Sequence, residues 1–258
     1  MKKPTVRRFL WYLFAVPRCA ACRHLLGAAA SLNGSLGSDV LCPKCRSAWE
    51  QEKLEICPIC GEVQIDCRCM PEALAESGAE TLVHLGEYRA DAVIGRVILY
   101  LKDTPSRRTV DFAAAQLLPA LRREAAVREI EPPEMLVTFL PRSRRARREH
   151  GHDQAELLAR ALAGRLGAEC RPLLFRGRDG EAQKMLTARE RAENVRGAFL
   201  PVRKYSCTGR TVVLVDDVVT TGSGMAEGVR ILRESGAGDV ICVSIGRSPE
   251  KKQENVKK

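Results

Sequence analysis

Aromatic residues are scarce in this chain. Two Trp, four Tyr and six Phe make up 5% of 258 residues, so a platform of stacking rings for single-stranded nucleic acid is not evident. Long apolar runs are missing too, and none approaches the ~20 residues that cross a membrane as a helix. The nearest imitation is at the start, where Lys2, Lys3, Arg7 and Arg8 precede Phe9 to Val16. That stretch is short and runs into Pro17-Arg18-Cys19 instead of a small-residue cleavage site. Residues 1–18 therefore read as a packing or docking helix, and the chain as cytoplasmic. Lysine is absent between Lys204 and Lys251. This removes the residue that a nucleoside-triphosphate loop places before its hydroxyl side chain.

Positive charge and cysteine are abundant. The formal charge of +10 and pI near 9.2 point to an anionic partner. Arg142, Arg144, Arg145, Arg147 and Arg148 crowd into seven positions after a strand predicted over Met135–Leu140. Three readings of this segment stand: a clamp whose guanidinium forks match phosphate oxygens, a contact to a nucleic-acid backbone, or a solvated basic turn.

Eight of eleven cysteines fall between Cys19 and Cys69 as four close pairs: Cys19/Cys22, Cys42/Cys45, Cys57/Cys60 and Cys67/Cys69. A C-x-x-C turn lets two thiolates face one tetrahedral ion, and eight thiolates make two structural Cys₄ zinc sites with no open position for water. Disulfides are the alternative, disfavoured in a reducing compartment. The simplest pairing is sequential, with Cys19, Cys22, Cys42 and Cys45 on one ion and Cys57, Cys60, Cys67 and Cys69 on the other. A cross-braced pairing stays open. His24 reads as a solvated or packing side chain. Some fifty residues with few apolar side chains need metal to fold. Of the later cysteines, Cys170 and Cys242 sit in apolar runs and read as buried, while Cys207 reads as a loop residue.

The most informative stretch is Val212 to Met225. A β-branched run predicts a buried strand over Val212–Val215. Asp216 and Asp217 close it. Thr220, Thr221, Gly222, Ser223 and Gly224 follow, and a helix is predicted from about Met225 to Glu234. Glycines let backbone N–H groups turn toward an anion, hydroxyls add donors, and a helix N-terminus aims its positive end at the same point. The loop fits a phosphate monoester. The two acids would repel phosphate, but they can accept hydrogen bonds from a ribose diol or hold the shell of Mg²⁺. An ordinary capped turn explains the hydroxyls but neither the acid pair nor both glycines.

The remaining pattern alternates strands with helices. Strands are predicted at Thr81–Leu85, Leu173–Phe175, Ala198–Leu200 and Val240–Ile245. Helices are predicted at Ala90–Leu101, Thr109–Arg128 with an interruption at Pro119, and Gln154–Leu166. This order implies a parallel α/β sheet with ligands at the carboxyl ends of its strands.

The acid pair and its loop resemble the ribose-phosphate fingerprint of type I phosphoribosyltransferases, whose two acids take the ribose hydroxyls of phosphoribosyl pyrophosphate (PRPP) and whose loop takes its 5-phosphate. The four Cys pairs, Leu101-Lys102, Leu140-Pro141 with its arginines, Gly151 to Gln154, Gln183, Arg189, Asn194, Gly197-Ala198-Phe199 and the Asp216-Asp217 loop occur in the order typical of ComF competence proteins. The resemblance covers nearly the whole chain. It implies an α/β fold, a parallel-sheet type I phosphoribosyltransferase domain behind a small N-terminal double zinc ribbon. The expected organisation is a basic/apolar helix at 1–18, ribbons at 19–70, a linker at 71–80, the phosphoribosyltransferase-like domain at 81–248 and a charged tail at 249–258. PRPP with Mg²⁺ is the implied ligand, and single-stranded DNA and DNA-processing proteins are the implied partners. Lys102 and Arg142 are candidates for the pyrophosphate side, and Gln183, Arg189 and Asn194 for a hood. An amphipathic surface helix is the alternative for that last segment. A PRPP sensor or a nucleic-acid-binding zinc protein without transfer remains the rival to an enzyme.

One segment departs from the family pattern. Arg-Gly-Phe-Asn-Gln is replaced by His150-Gly151-His152-Asp153-Gln154. An always-charged fork becomes a histidine, and Asn becomes an acid. Pyrophosphate binding is expected to weaken. Three such near neighbours do not face one metal ion unaided.

Overall fold

The computed structural model describes residues 18–26, 40–177 and 197–249. The expected N-terminal helix, the hood residues Gln183, Arg189 and Asn194, and the tail beyond Pro249 lie outside the described residues. In chain order the elements are α1 (Pro43–Lys53), α2 (Glu72–Ala75), β1 (Thr81–Val83), β2 (Gly86–Glu87), α3 (Val93–Asp103), α4 (Arg107–Val127), β3 (Leu136–Phe139), α5 (Arg144–His150), α6 (Gln154–Leu166), β4 (Glu169–Cys170), β5 (Leu174–Arg176), β6 (Phe199–Pro201), β7 (Val212–Val215), β8 (Val218–Val219), α7 (Ser223–Glu234), β9 (Val240–Val243) and β10 (Gly246–Arg247). No described helix is long and apolar enough to cross a membrane.

The main sheet is parallel throughout, in the order β1-β9-β7-β3-β4. Strands β3, β7 and β9 are buried along their whole length, as a sheet covered on both faces requires. Their side chains alternate between two cores. Val83, Val137, Val213, Val215 and Val243 face one core with α3, α4 and α6. Leu82, Leu136, Val212, Leu214 and Cys242 face the other with α7.

Three neighbouring strands break and resume two residues later. β1, β9 and β7 continue as β2, β10 and β8, which pair in the same order, β2-β10-β8. Backbone bonding runs through the breaks: Asp216 N donates to the Val243 carbonyl, Ile245 N to Asp217, Ser244 N to Val83 and Leu85 N to Ile245. The acid pair occupies the break in β7/β8, so its position is fixed by the sheet and not by a free loop.

Several elements differ from expectation. α4 runs unbroken through Pro119, which lies on the exposed side, where water can take the carbonyl left without a donor. The basic segment forms the short helix α5 instead of a loop. The segment 71–80 carries α2, and its Leu74 is wholly buried in the second core. Cys170 is half-buried, while Cys207, though in a loop, is buried like Cys242.

The cysteine-rich segment packs into the first core, which includes Cys19, Leu41, Cys45 and Trp49. Trp49 of α1 is fully buried, stacks tilted on Phe112 at 5.1 Å and donates to Gln116. Glu52, also on α1, accepts from Val93 N at 2.7 Å and Ile94 N at 2.8 Å. It caps α3, whose own N-cap residue Ala92 has no side-chain acceptor. The far end of α3 carries Lys102. Replacing this cap with Glu52→Ala is expected to lower stability by about 1–2 kcal/mol, read as an earlier midpoint in urea unfolding at unchanged slope. Superimposable curves would show that α3 does not depend on α1.

Candidate functional site

Asp216 and Asp217 follow the carboxyl end of β7, and Asp217 N donates to Asp216 Oδ1 at 2.8 Å. Asp217 is buried and Asp216 half-buried. Burial, and then the charge of Asp217, raise the Asp216 carboxyl well above the usual carboxylate range. Two cations converge on the partner acid. Lys102 Nζ lies 4.0 Å and Arg142 Nη2 3.9 Å from Asp217 Oδ2. Neither contact is short enough for a hydrogen bond, and Asp217 Oδ2 and Arg142 Nη1 are buried without a hydrogen-bond partner among the described residues. Buried polar atoms rarely stay so. A centre of one acid, two cations and spare hydrogen-bonding capacity fits a ligand that carries both hydroxyls and anionic oxygens.

The loop after β8 lies where the sequence places it. Thr221 Oγ1 and Ser223 Oγ are 3.1 Å apart, and α7 starts at Ser223, two residues before the predicted start. Its first-turn N–H groups have no helical partner, which is the basis of anion binding at a helix start. Gly222 is required twice over. Its φ is +76°, and a Cβ there would lie 3.0 Å from Pro71 Cβ. Pro71 and Leu74 thus brace the loop from behind.

The divergent segment His150–Gln154 forms a clasp. Asp153 caps α6, accepting from Glu156 N at 3.4 Å on Oδ1 and from Arg142 N at 2.9 Å on Oδ2. Both oxygens accept, a role that an Asn amide fills on one atom only. Burial raises the Asp153 carboxyl. His152 Nε2 and Gln154 Nε2 both meet the Leu101 carbonyl, at 2.9 and 3.1 Å, and His152 Nδ1 lies 2.7 Å from the His150 carbonyl. The clasp therefore holds the residue before Lys102 and the backbone of Arg142. Sequence reasoning treated this segment as a possible ligand contact and missed the positioning role of His152, Asp153 and Gln154. The available signal was an acid directly before a helical run. Further along α5, Arg147 pairs with Glu156 at 2.9 Å and Arg148 is exposed.

The cysteines form two sets, Cys19, Cys22, Cys42, Cys45 and Cys57, Cys60, Cys67, Cys69, each with its sulfurs within 4.8 Å of one another. This is the sequential pairing. Sulfur separations of 3.7 Å for Cys22–Cys42 and Cys60–Cys67 match the ~3.8 Å edge of a tetrahedron with 2.3 Å metal–sulfur bonds. Against the opposing effect of burial, backbone N–H groups bring the Cys19 and Cys57 thiols down to about 7. Burial pushes Cys45 and Cys67 up and Cys69 to about 11, as expected where thiolates crowd together and only a cation lets all four ionise. Both sets fit zinc. His24 is exposed and belongs to neither.

The Phosphoribosyl transferase domain family matches residues 155–258. The DNA utilization protein YhgH of Salmonella typhimurium is 31% identical over 209 residues, 78% of this chain and 87% of that protein. The chain belongs to the ComF family. Competence protein F of Haemophilus influenzae is 28% identical across 90% of this ComF chain and 97% of its own length. Among solved structures, a purine phosphoribosyltransferase from Pyrococcus horikoshii Ot3 aligns with 54% of the ComF chain and 82% of its own at 17% identity and a TM-score of 0.32.

The raised Asp216 has a consequence for stability. The unfolded carboxyl ionises near 3.9 and the folded one only at higher pH. Folding therefore loses stability as pH rises from the first value through the second. Asp216→Asn removes that loss. Thermal melts from about pH 4 to pH 8 should show the variant gaining on wild type as pH rises. A variant less stable than wild type by the same margin at every pH would sink the argument.

Proposed function

We propose that this ComF-family chain binds PRPP with Mg²⁺ at the break in β7/β8, transfers its phosphoribosyl group, and acts in the uptake or processing of DNA. The observation that carries the reading is the meeting of Lys102, Arg142 and Asp217 beside a hydroxyl- and glycine-rich helix start. Asp216 and Asp217 accept from the ribose 2- and 3-hydroxyls. Thr220, Thr221, Ser223 and the backbone of Gly222 and Gly224 surround the 5-phosphate. Lys102 and Arg142 face the pyrophosphate. Their separation from Asp217 is then an advantage, because the cations are held in the site without being neutralised by short ion pairs.

Transfer breaks the C1–O bond, sends the electron pair out with pyrophosphate and forms a bond from C1 to a nucleophile that gives up its proton to solvent. Bound Mg²⁺ supplies charge stabilisation to the leaving oxygens. The chain's own groups hold the ribose, stabilise developing negative charge on the pyrophosphate and exclude water. Gln183, Arg189 and Asn194 are proposed as the hood over this site. The eight cysteines are proposed to hold two structural zinc ions. The printed names of the relatives, DNA utilization and competence proteins, support DNA as the wider context. Exposed Arg148 on α5, six residues beyond Arg142, supports a phosphate-backbone contact.

The test is to incubate the zinc-loaded chain with PRPP and Mg²⁺, with and without single-stranded DNA, and to follow both PRPP binding and pyrophosphate release. Asp217→Asn is expected to weaken binding about 10- to 100-fold, the scale of losing hydrogen bonds to a charged group. Arg148→Ala should flatten the salt dependence of DNA affinity by about one charge. Binding without release across nucleobases and DNA would favour the sensor reading. No binding of PRPP at any concentration would end both.

A further inference from the structure

Arg247 is the largest charged side chain wholly removed from solvent, with 0% exposure. A buried guanidinium needs a counter-charge, and among the described residues no carboxylate lies within ion-pair distance of it. Its Nε and Nη1 have no hydrogen-bond partner there. Its one polar contact is Nη2 to Cys57 Sγ at 3.9 Å. Close by, His84 is also fully buried, and burial, then the charges of Arg247 and Arg68, hold its ring neutral with a pKa of about 3. His84 therefore adds no second positive charge, and as a histidine it can supply no counter-charge. Arg68 has its own acid, Glu124 at 2.7 Å, and donates to the Cys67 carbonyl.

The charge that Arg247 lacks is supplied once the second cysteine set holds a divalent ion. Four thiolates and one dication leave an excess of two negative charges, and an N–H aimed at a metal-bound sulfur is a recognised kind of outer-shell support. Arg247 also has a structural address at the functional site. It ends β10, between β2 and β8, in register with Val219. Ser248 N donates to the Val219 carbonyl at 2.7 Å, and Tyr88 N to the Arg247 carbonyl at 2.8 Å. Val219 immediately precedes Thr220, where the hydroxyl loop begins.

We propose that Arg247 is a positioning residue that joins the second cysteine centre to the loop: its guanidinium donates to the metal-bound Cys57 thiolate and offsets the cluster's charge, and its backbone fixes the strand from which the loop springs. Metal binding at Cys57, Cys60, Cys67 and Cys69 and anion binding at Thr220–Gly224 are then linked, each strengthening the other. The metal half stands on its own; the linkage half rests on the PRPP reading of the loop.

The experiment uses the full chain loaded with zinc and titrated with a colorimetric chelator, with Cys60→Ser identifying the phase that belongs to the second set. Arg247→Met should lower zinc affinity at the second set about 10- to 100-fold and leave the first unchanged. Arg247→Lys, which keeps the charge but not the fork, should restore part of the loss. In the cobalt-substituted protein, Arg247→Met should shift the thiolate-to-metal charge-transfer band of one ion only. A wild-type release profile for both variants, or equal loss at both sets, overturns the metal half. Where Arg247→Met does not fold, Arg247→Lys alone decides, since unchanged affinity and an unchanged band in that variant refute the contact. PRPP binding is then measured before and after selective loss of the second ion. Weakened binding supports the linkage, and unchanged binding overturns it. Failure of the fully loaded wild type to bind PRPP would overturn the functional reading and leave the metal result standing.

Discussion

The shared interruption of β1, β9 and β7 is the constraint on which the rest of the structure depends. A parallel strand that simply ended at Val215 would leave Asp216 and Asp217 on a loop. Here the hydrogen-bond ladder passes through the gap, from Asp216 to Val243 and from Ile245 to Asp217, and the three strands resume as a second small sheet. Two like charges are thereby held side by side at a place where each would avoid the other. Burial, and then the charge of Asp217, raise the Asp216 carboxyl there. On the proposed reading, such a site is predisposed to cations and to polyhydroxylated ligands, and that predisposition comes from the backbone.

Two supports reach this edge. α3 brings Lys102 across one side, and its start is capped by Glu52 from the cysteine-rich segment, so the ordering of α1 is felt at the far end of α3. β10 brings Arg247 into register with Val219, one residue before the hydroxyl loop. The cysteine segment contributes Trp49 and several cysteines to the same core as the sheet. It is packed as part of the body and not hung on it, which explains how a region poor in apolar side chains can matter to a site it does not touch.

Much of this was legible in the sequence, for local reasons. Val212–Val215 and Gln154–Leu166 match their predicted limits because a β-branched run closed by acids, and a helical period closed by Gly167, are short-range signals. The cysteines form the sequential sets that spacing made simplest, while spacing alone left a cross-braced pairing open. The meeting of Lys102, Arg142 and Asp217 was implied by family likeness, but proximity depends on strand order, which local pattern does not carry. The break itself was hidden because Val218 and Val219 extend the apolar run past the acids. Glu52 looked like any surface glutamate; the backbone groups it caps lie 41 and 42 residues away. His152 and Asp153 looked like losses against the family pattern. The clasp shows that their acceptors and donors are spent on backbone, which is invisible to a residue-by-residue comparison.

The chain's charge can now be read more closely than its total of +10 allowed. Among the described residues, like acidic groups are brought together at the acid pair and at the two cysteine sets. Each is tenable only beside positive charge. At the acid pair that charge is Lys102 and Arg142, close enough to lower the repulsion and too far to quench it. On the proposed loading, the thiolate sets receive a metal ion each, and the second, which Arg247 reaches through Cys57, also takes that cation. Among the described residues, several surface arginines are tied to acids such as Glu156 and Glu227. On the proposed reading, Lys102 and Arg142 are held at the strand break without a short ion pair, and they add to the chain's overall basicity at the point where an anionic ligand would sit.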